Sequence, residues 1–179
     1  MIINGTEIGP KKNLVFAELS EANLSGADLS ESNLSTAFLF NSDLSGANLR
    51  FSHLSGARMT GADLSRANLA FATLIGTSLF SAKLERADLS GANLVGAFLF
   101  DANLRSTNLS GANLTGANLM SADLSNSDLS GANLVGANLD GANLTGANLE
   151  GANLFGADIS NSIMPDGSVI PDGTVHVAI

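Results

Sequence analysis

The sequence predicts a solenoid, a rod in which one short unit turns the same corner again and again. Three observations carry this. Stepping by five from Leu14 to residue 159 visits 30 positions, of which 28 are Leu and the others Met59 and Ile159. Calling that position i, all 29 i−2 positions from Ala17 to Ala157 are small: 23 are Ala, and the rest are Ser32, Ser42, Ser52, Thr77, Thr107 and Ser127. Of the 19 glycines, 15 stand at i+2. A period of five suits neither an α-helix, on which such residues would wind around every side, nor a flat strand, which would throw them onto opposite faces. The chain must therefore bend every five residues, with i and i−2 pointing inward each time. Gly at i+2 supplies the dihedrals a corner needs. Asn or Asp dominates i−1, where a short polar side chain can hydrogen-bond nearby backbone.

The repeated phrase, as in Gly91-Ala-Asn-Leu-Val95, Gly111-Ala-Asn-Leu-Thr115 and Gly131-Ala-Asn-Leu-Val135, resembles the A-(D/N)-L-x-x repeat of the pentapeptide-repeat family. The resemblance covers residues 12–161. It implies an all-β solenoid, a right-handed quadrilateral β-helix with one pentapeptide per side, four per coil and so about 7.5 coils from the 30 repeats. At a rung spacing of ~4.8 Å the rod is about 36 Å long. Phenylalanines recurring at 20-residue spacing, Phe51 with Phe71 and Phe80 with Phe100, agree with a four-sided coil.

Taken in order, residues 1–11 form an N-terminal cap segment that offers Ile2, Ile3 and Ile8 to the open end of the core. Residues 12–161 are the repeats. Residues 162–179 form a C-terminal cap and tail with Ile163, Met164, Val169, Ile170, Val175, Val177 and Ile179. Exposed solenoid ends leave unpaired backbone and apolar core, so both need covering. The triplets Pro165-Asp-Gly167 and Pro171-Asp-Gly173 are turn signals, Val175–Ile179 reads as a short strand or an ordered tail, and Ile163–Ser168 resembles closing segments of some family members.

Composition narrows the function. Hydrophobic residues are 45% and charged residues 14% of the 179, against ~25% charged in a typical domain, which excludes an acidic disordered chain. Mean hydropathy is +0.24, yet no stretch nears the ~18 uninterrupted apolar residues of a spanning helix. No signal peptide is visible, so the expected location is cytoplasmic, with no membrane contact. With no Cys, there are no disulfides, cysteine nucleophiles or cysteine metal sites. The net charge of −9 is uneven: all eight Lys and Arg lie between Lys11 and Arg105. Direct nucleic-acid binding, which needs clustered basic residues, is not expected.

No catalytic constellation is evident. The two histidines, His53 and His176, sit at an outward i−1 slot and in the tail. Carboxylates scatter over outward positions without an isolated pair, so no enzyme, cofactor or metal site is expected. The outward surface is more telling. Columns of residues 20 apart collect Phe38, Phe40, Phe80, Phe98, Phe100 and Met120 on one side and Ile75 and Val95 on the adjacent one, a candidate interaction stripe. The same residues also suit a cross-coil ladder that aids folding. The first functional reading is a non-enzymatic interaction or scaffold module for a protein partner, or for a second copy in a homodimer whose contact is antiparallel or central. The alternative, implied by the quinolone-resistance branch of the family, is an acidic rod that mimics DNA and binds DNA gyrase; Arg50, Arg58, Arg66, Lys83, Arg86 and Arg105 interrupt its charge. Opposite charges at 20-residue spacing predict ion pairs Asp63–Lys83 and Glu85–Arg105.

Overall fold

A computed structural model describes residues 2–3 and 5–173. Parallel bridges join each i−1 residue to the one 20 positions on, from Asn13–Asn33 to Asn143–Ile163. One coil is therefore four pentapeptides. We name the sides by their inward residues: the first side carries Leu14, Leu34 and Leu54, the second Leu19, Leu39 and Met59, the third Leu24, Leu44 and Leu64, the fourth Leu29, Leu49 and Leu69.

Where Asn or Asp stands at i−1 in an inner coil, every amide of the repeat has a defined destination, as residues 33–37 show. Asn33 donates to the Lys12 carbonyl of the coil before at 2.9 Å, Leu34 to His53 of the coil after at 2.7 Å, and Thr36 to Ser55 of the coil after at 3.0 Å. Ala37 donates back to Leu34 at 3.0 Å, which closes the corner. The remaining amide, that of Ser35 at i+1, donates to Asn33 Oδ1 at 3.0 Å. That is the reason for Asn or Asp at i−1: backbone partners absorb four donors of the five, and the side chain supplies the last.

The corner is a turn with positive φ at i+2, the dihedral that favours Gly. Among the described residues, sixteen that are not glycine nevertheless occupy that conformation, Phe16, Phe51 and Phe71 among them at 57°, 56° and 59°. For L-residues this costs roughly 1–2 kcal/mol each, so the stacking of coils overrides local preference.

Inside, the Leu ladders and their Ala neighbours are almost fully buried, and Met59 and Ile159 substitute at 0% and 3% exposure. Each buried Leu contributes roughly 1.5–3 kcal/mol before entropy is subtracted. The polar departures at i−2 are also buried, and their hydroxyls are satisfied. Ser42 and Ser52 donate to the preceding Leu carbonyls at 2.9 and 2.7 Å, while Thr77 and Thr107 reach Leu54 and Leu84 of the coil before, both at 2.8 Å.

At the N-terminus β1 (Ile2–Ile3) pairs antiparallel with β2 (Thr6–Glu7), Ile3 opposite Thr6. This places Ile3 and Ile8 against the first coil. At the other end the Pro165-Asp-Gly167 turn reverses the chain, and Val169 pairs antiparallel with Ile163. Ile170 donates its amide to Ser162 at 2.9 Å, where a further coil would donate, and packs with Met164 on the core. The short strand or ordered tail expected at Val175–Ile179, and His176 with it, lie outside the described residues.

Of the two expected ion pairs, Lys83 reaches Asp63 at 3.7 Å. The pair Glu85–Arg105 is corrected: Glu85 contacts Arg86 at 3.7 Å and Arg105 contacts Asp123 at 3.3 Å. Asp123 is already held in place by the Ser125 amide at 3.0 Å, so Arg105 meets a fixed carboxylate there, whereas Glu85 is a longer and freer one.

Candidate interaction face

Among the 30 repeats, eight lack Asn or Asp at i−1, and five of those are consecutive on the second side: Glu18, Phe38, Arg58, Ser78 and Phe98. The others are His53, Thr73 and Lys83. Among the described residues, the second side from the second to the fifth coil thus supplies no side-chain acceptor at i−1 for the amides of Phe40, Thr60, Phe80 and Phe100. The rule resumes at the sixth coil, where the Met120 amide donates to Asn118 Oδ1 at 3.1 Å, and continues with Asp140 to Asn138 at 2.9 Å.

The same side carries six of the eight residues of the expected stripe. Phe80 and Phe100 stack with ring centres 5.3 Å apart and planes 5° from parallel. Phe38 and Phe40 lie side by side in one coil at 6.5 Å. The Arg58 guanidinium sits 5.0 Å over the Phe38 ring. Between these aromatic groups the surface dips to Thr60 and Ser78, whose hydroxyls meet at 3.0 Å. Phe80 and Phe98 are 41% and 52% exposed, and Phe38, Phe40, Phe100 and Met120 are half-buried. Ile75 (43% exposed) and the half-buried Val95 lie on the first side, around the corner from this array.

A second aromatic cluster stands on the corner between the fourth and first sides. Phe51 and Phe71 stack at 5.4 Å, with Arg50 5.1 and 5.9 Å over their rings. The sequence shows the Phe51–Phe71 column but not the arginine that covers it. Arg50 Nε is buried without a hydrogen-bond partner and is held by the rings instead. The Phe71 ring lies so close over Gly91 that a Cβ there would meet it at 2.6 Å. Stacking at ~0.5–1.5 kcal/mol and a cation–π contact at ~0.5–1 kcal/mol offset part of the corner strain.

The i−1 aspartates serve the backbone of their own corners. Asp28 Oδ1 accepts the Ser30 hydroxyl at 2.7 Å and its amide at 3.1 Å, and Asp158 does the same with Ser160 at 2.7 and 3.0 Å. These bonds hold both carboxyls below their ordinary range. At Asp123, burial pushes upward, but the bonds from Ser125 and Arg105 outweigh it and the net shift is downward. Among the described residues, no group of three or more His, Cys, Asp or Glu could hold a metal ion.

Parallel bridges at 20-residue spacing, corners of positive φ and an interior of stacked Leu define the class of protein: a four-sided solenoid of pentapeptides. The pentapeptide-repeat family profile matches this chain in 8 copies over residues 13–46, 42–79, 82–120 and 122–161, and the chain belongs to that family. Its fold is the right-handed β-helix of those proteins. Among solved structures it is similar to HetL of the cyanobacterium Nostoc sp. strain PCC 7120, a pentapeptide repeat protein involved in heterocyst differentiation regulation, at 36% identity over 89% of this chain and 92% of that one, TM-score 0.32. It is similar to Rfr23 of the cyanobacterium Cyanothece 51142 at 46% identity over 57% of this chain and 63% of that one, TM-score 0.46. It shares its fold with a trypsin-treated form of QnrB1, a plasmid-mediated fluoroquinolone resistance protein, at 19% identity over 92% of this chain and 87% of that one, TM-score 0.66. Comparison with curated proteins finds no match.

Proposed function

We propose that this chain is a non-enzymatic interaction module whose second side, from the first to the sixth coil, is its protein-binding face. The observation that carries the reading is the run of five coils in which Glu18, Phe38, Arg58, Ser78 and Phe98 replace the Asn or Asp that the backbone uses elsewhere. A local rule given up repeatedly on one face, at the expense of backbone hydrogen bonds, points to what that face presents to a partner. It presents Phe38, Phe40, Phe80, Phe98, Phe100 and Met120 around Arg58, and aromatic residues, Met and Arg are the types enriched at interface cores. Ile75 and Val95 extend the apolar surface around the corner. The test is capture from a native cell extract by the wild type and by a Phe80→Ser/Phe100→Ser variant with an unchanged circular dichroism spectrum. Equal capture by both overturns the reading.

The charge distribution favours a second reading, an acidic DNA-like rod that binds DNA gyrase, because no Lys or Arg follows Arg105. Titrating the protein into a gyrase supercoiling reaction tests it. Undiminished supercoiling at a large excess of protein removes it.

A further inference from the structure

The second side matches its own reversal. From the first coil to the sixth, its i−1 column reads Glu18, Phe38, Arg58, Ser78, Phe98, Asn118, and its i+1 column Ser20, Phe40, Thr60, Phe80, Phe100, Met120. Resting on the reading of this side as a binding face, we propose that its occupant is the second side of another copy of this chain. The two would lie face to face and antiparallel about a twofold axis between the third and fourth coils. Such an axis lies in the plane of contact and across both rods, so each column faces the same column of the second copy in reverse order.

The pairing this produces is complementary at every position. In the i−1 column Phe38 meets Phe98, Arg58 meets Ser78 and Glu18 meets Asn118. In the i+1 column Phe40 meets Phe100, Thr60 meets Phe80 and Ser20 meets Met120. Four of the five phenylalanines face another, Phe80 faces the smaller Thr60, the other large side chains face small or polar ones, and no two like charges oppose each other. The dip formed by Thr60 and Ser78, with hydroxyls 3.0 Å apart, receives the protruding Phe80 and Arg58 of the second copy. Moving the axis to the third coil sets Arg58 against itself; moving it to the fourth sets Phe38 against Asn118 and Ser78 against Ser78. A parallel arrangement would bring Asp140 and Asp158 of the two copies together, whereas in the antiparallel one the seventh coil extends past the N-terminal end of the second copy. Like charges held opposite each other are destabilising, so the −9 net charge of each chain selects the antiparallel form.

Six coils at ~4.8 Å spacing give a contact about 24 Å long, which belongs with the small, reversible interfaces. The copies also repel through their net charge. Association is therefore weak, and it strengthens as added salt screens that repulsion.

Sedimentation velocity of the wild type across micromolar to millimolar concentrations gives the first readout. A dimer fraction that rises with concentration and with salt is expected, and about a tenfold lower association constant for Phe80→Ser/Phe100→Ser. A wild type that stays monomeric at millimolar concentration, or a variant that associates equally well, overturns the pairing. The second readout tests register. The chain has no Cys, so Ser20→Cys and Met120→Cys each introduce a single thiol, and packed sheet faces lie about 10 Å apart, within reach of a short bismaleimide. Mixed together, the two variants should cross-link to each other; alone, neither should, because its own thiols lie five coils apart. Cross-linking by Ser20→Cys alone overturns the antiparallel arrangement. Extract capture separates the two ideas: capture that is lost in the Phe80→Ser/Phe100→Ser variant, alongside a monomeric wild type, keeps the binding face and removes self-pairing.

Discussion

Restoring the missing acceptor on the second side should stabilise the rod, and Ser78→Asn is the cleanest place to do so. Ser78 stands at i−1, where 22 of the 30 repeats carry Asn or Asp, and the amide it leaves unserved is that of Phe80. In the sixth coil the equivalent bond, from Met120 to Asn118 Oδ1, is 3.1 Å long, so an Asn at 78 has a working precedent two coils away on the same side. A net intramolecular hydrogen bond contributes about 0.5–1.5 kcal/mol. The substitution gives up the Ser78–Thr60 hydroxyl contact at 3.0 Å, which is half-exposed and belongs at the low end of that range, so the balance is a gain of about 0.5–1 kcal/mol. For a domain of this size, 1 kcal/mol moves Tm by roughly 2–4 °C, within reach of a circular dichroism melt. The reciprocal Asn118→Ser should lower Tm by a similar amount. If Ser78→Asn is neutral or destabilising while Asn118→Ser is also neutral, the side chain at i−1 is not what satisfies the fifth amide, and the second side gives up no hydrogen bond by departing from Asn or Asp.

Leu94→Lys places an unpaired charge where exposure is 0% and should cost several kcal/mol or prevent folding, whereas Asp88→Asn should leave the melt nearly unchanged. Gly91→Ala forces a Cβ to 2.6 Å from the Phe71 ring, whereas Gly111→Ala has nothing within 4 Å at a similar φ; the first should therefore melt lower than the second, and adding Phe71→Ser should erase the difference. Acid should destabilise the rod. Because Asp28, Asp128 and Asp158 have folded-state values below their unfolded ones, the unfolded chain binds more protons as pH falls, so their contribution is intact above about pH 5 and is lost progressively below it. A Tm that is flat from neutral pH to about pH 5 and then declines is the expected profile; a Tm that rises on acidification contradicts it.

Much of the fold was legible in the sequence because the core repeats without interruption. A side chain that must be Leu every five residues, with Ala or Ser two places before it, reports inward direction at each corner directly, and Met59 and Ile159 read as tolerated variants for the same reason. The aromatic columns Phe51–Phe71 and Phe80–Phe100 were legible too, since a constant coil length turns sequence spacing into spatial adjacency. The failure of Glu85–Arg105 shows the limit of that conversion. Spacing places two Cα atoms on neighbouring rungs, but it does not say which way a long side chain swings, and Arg105 swings to Asp123.

The purpose of Asn and Asp at i−1 lay beyond the one-dimensional pattern. Their frequency was plain, yet the need they meet depends on which four amides the neighbouring coils absorb, and a hydrogen bond between residues 20 apart is a property of the stacked rod. Once the donors of Asn33, Leu34, Thr36 and Ala37 are assigned, the Ser35 amide stands out, and the five coils of the second side become visible as a departure. The buried hydroxyls of Thr77 and Thr107 belong to the same category, because their acceptors lie 23 residues away in the coil before. Period, core and corner are local demands that each pentapeptide states for itself, whereas the partner of an amide or a hydroxyl exists only after one coil has been laid on another.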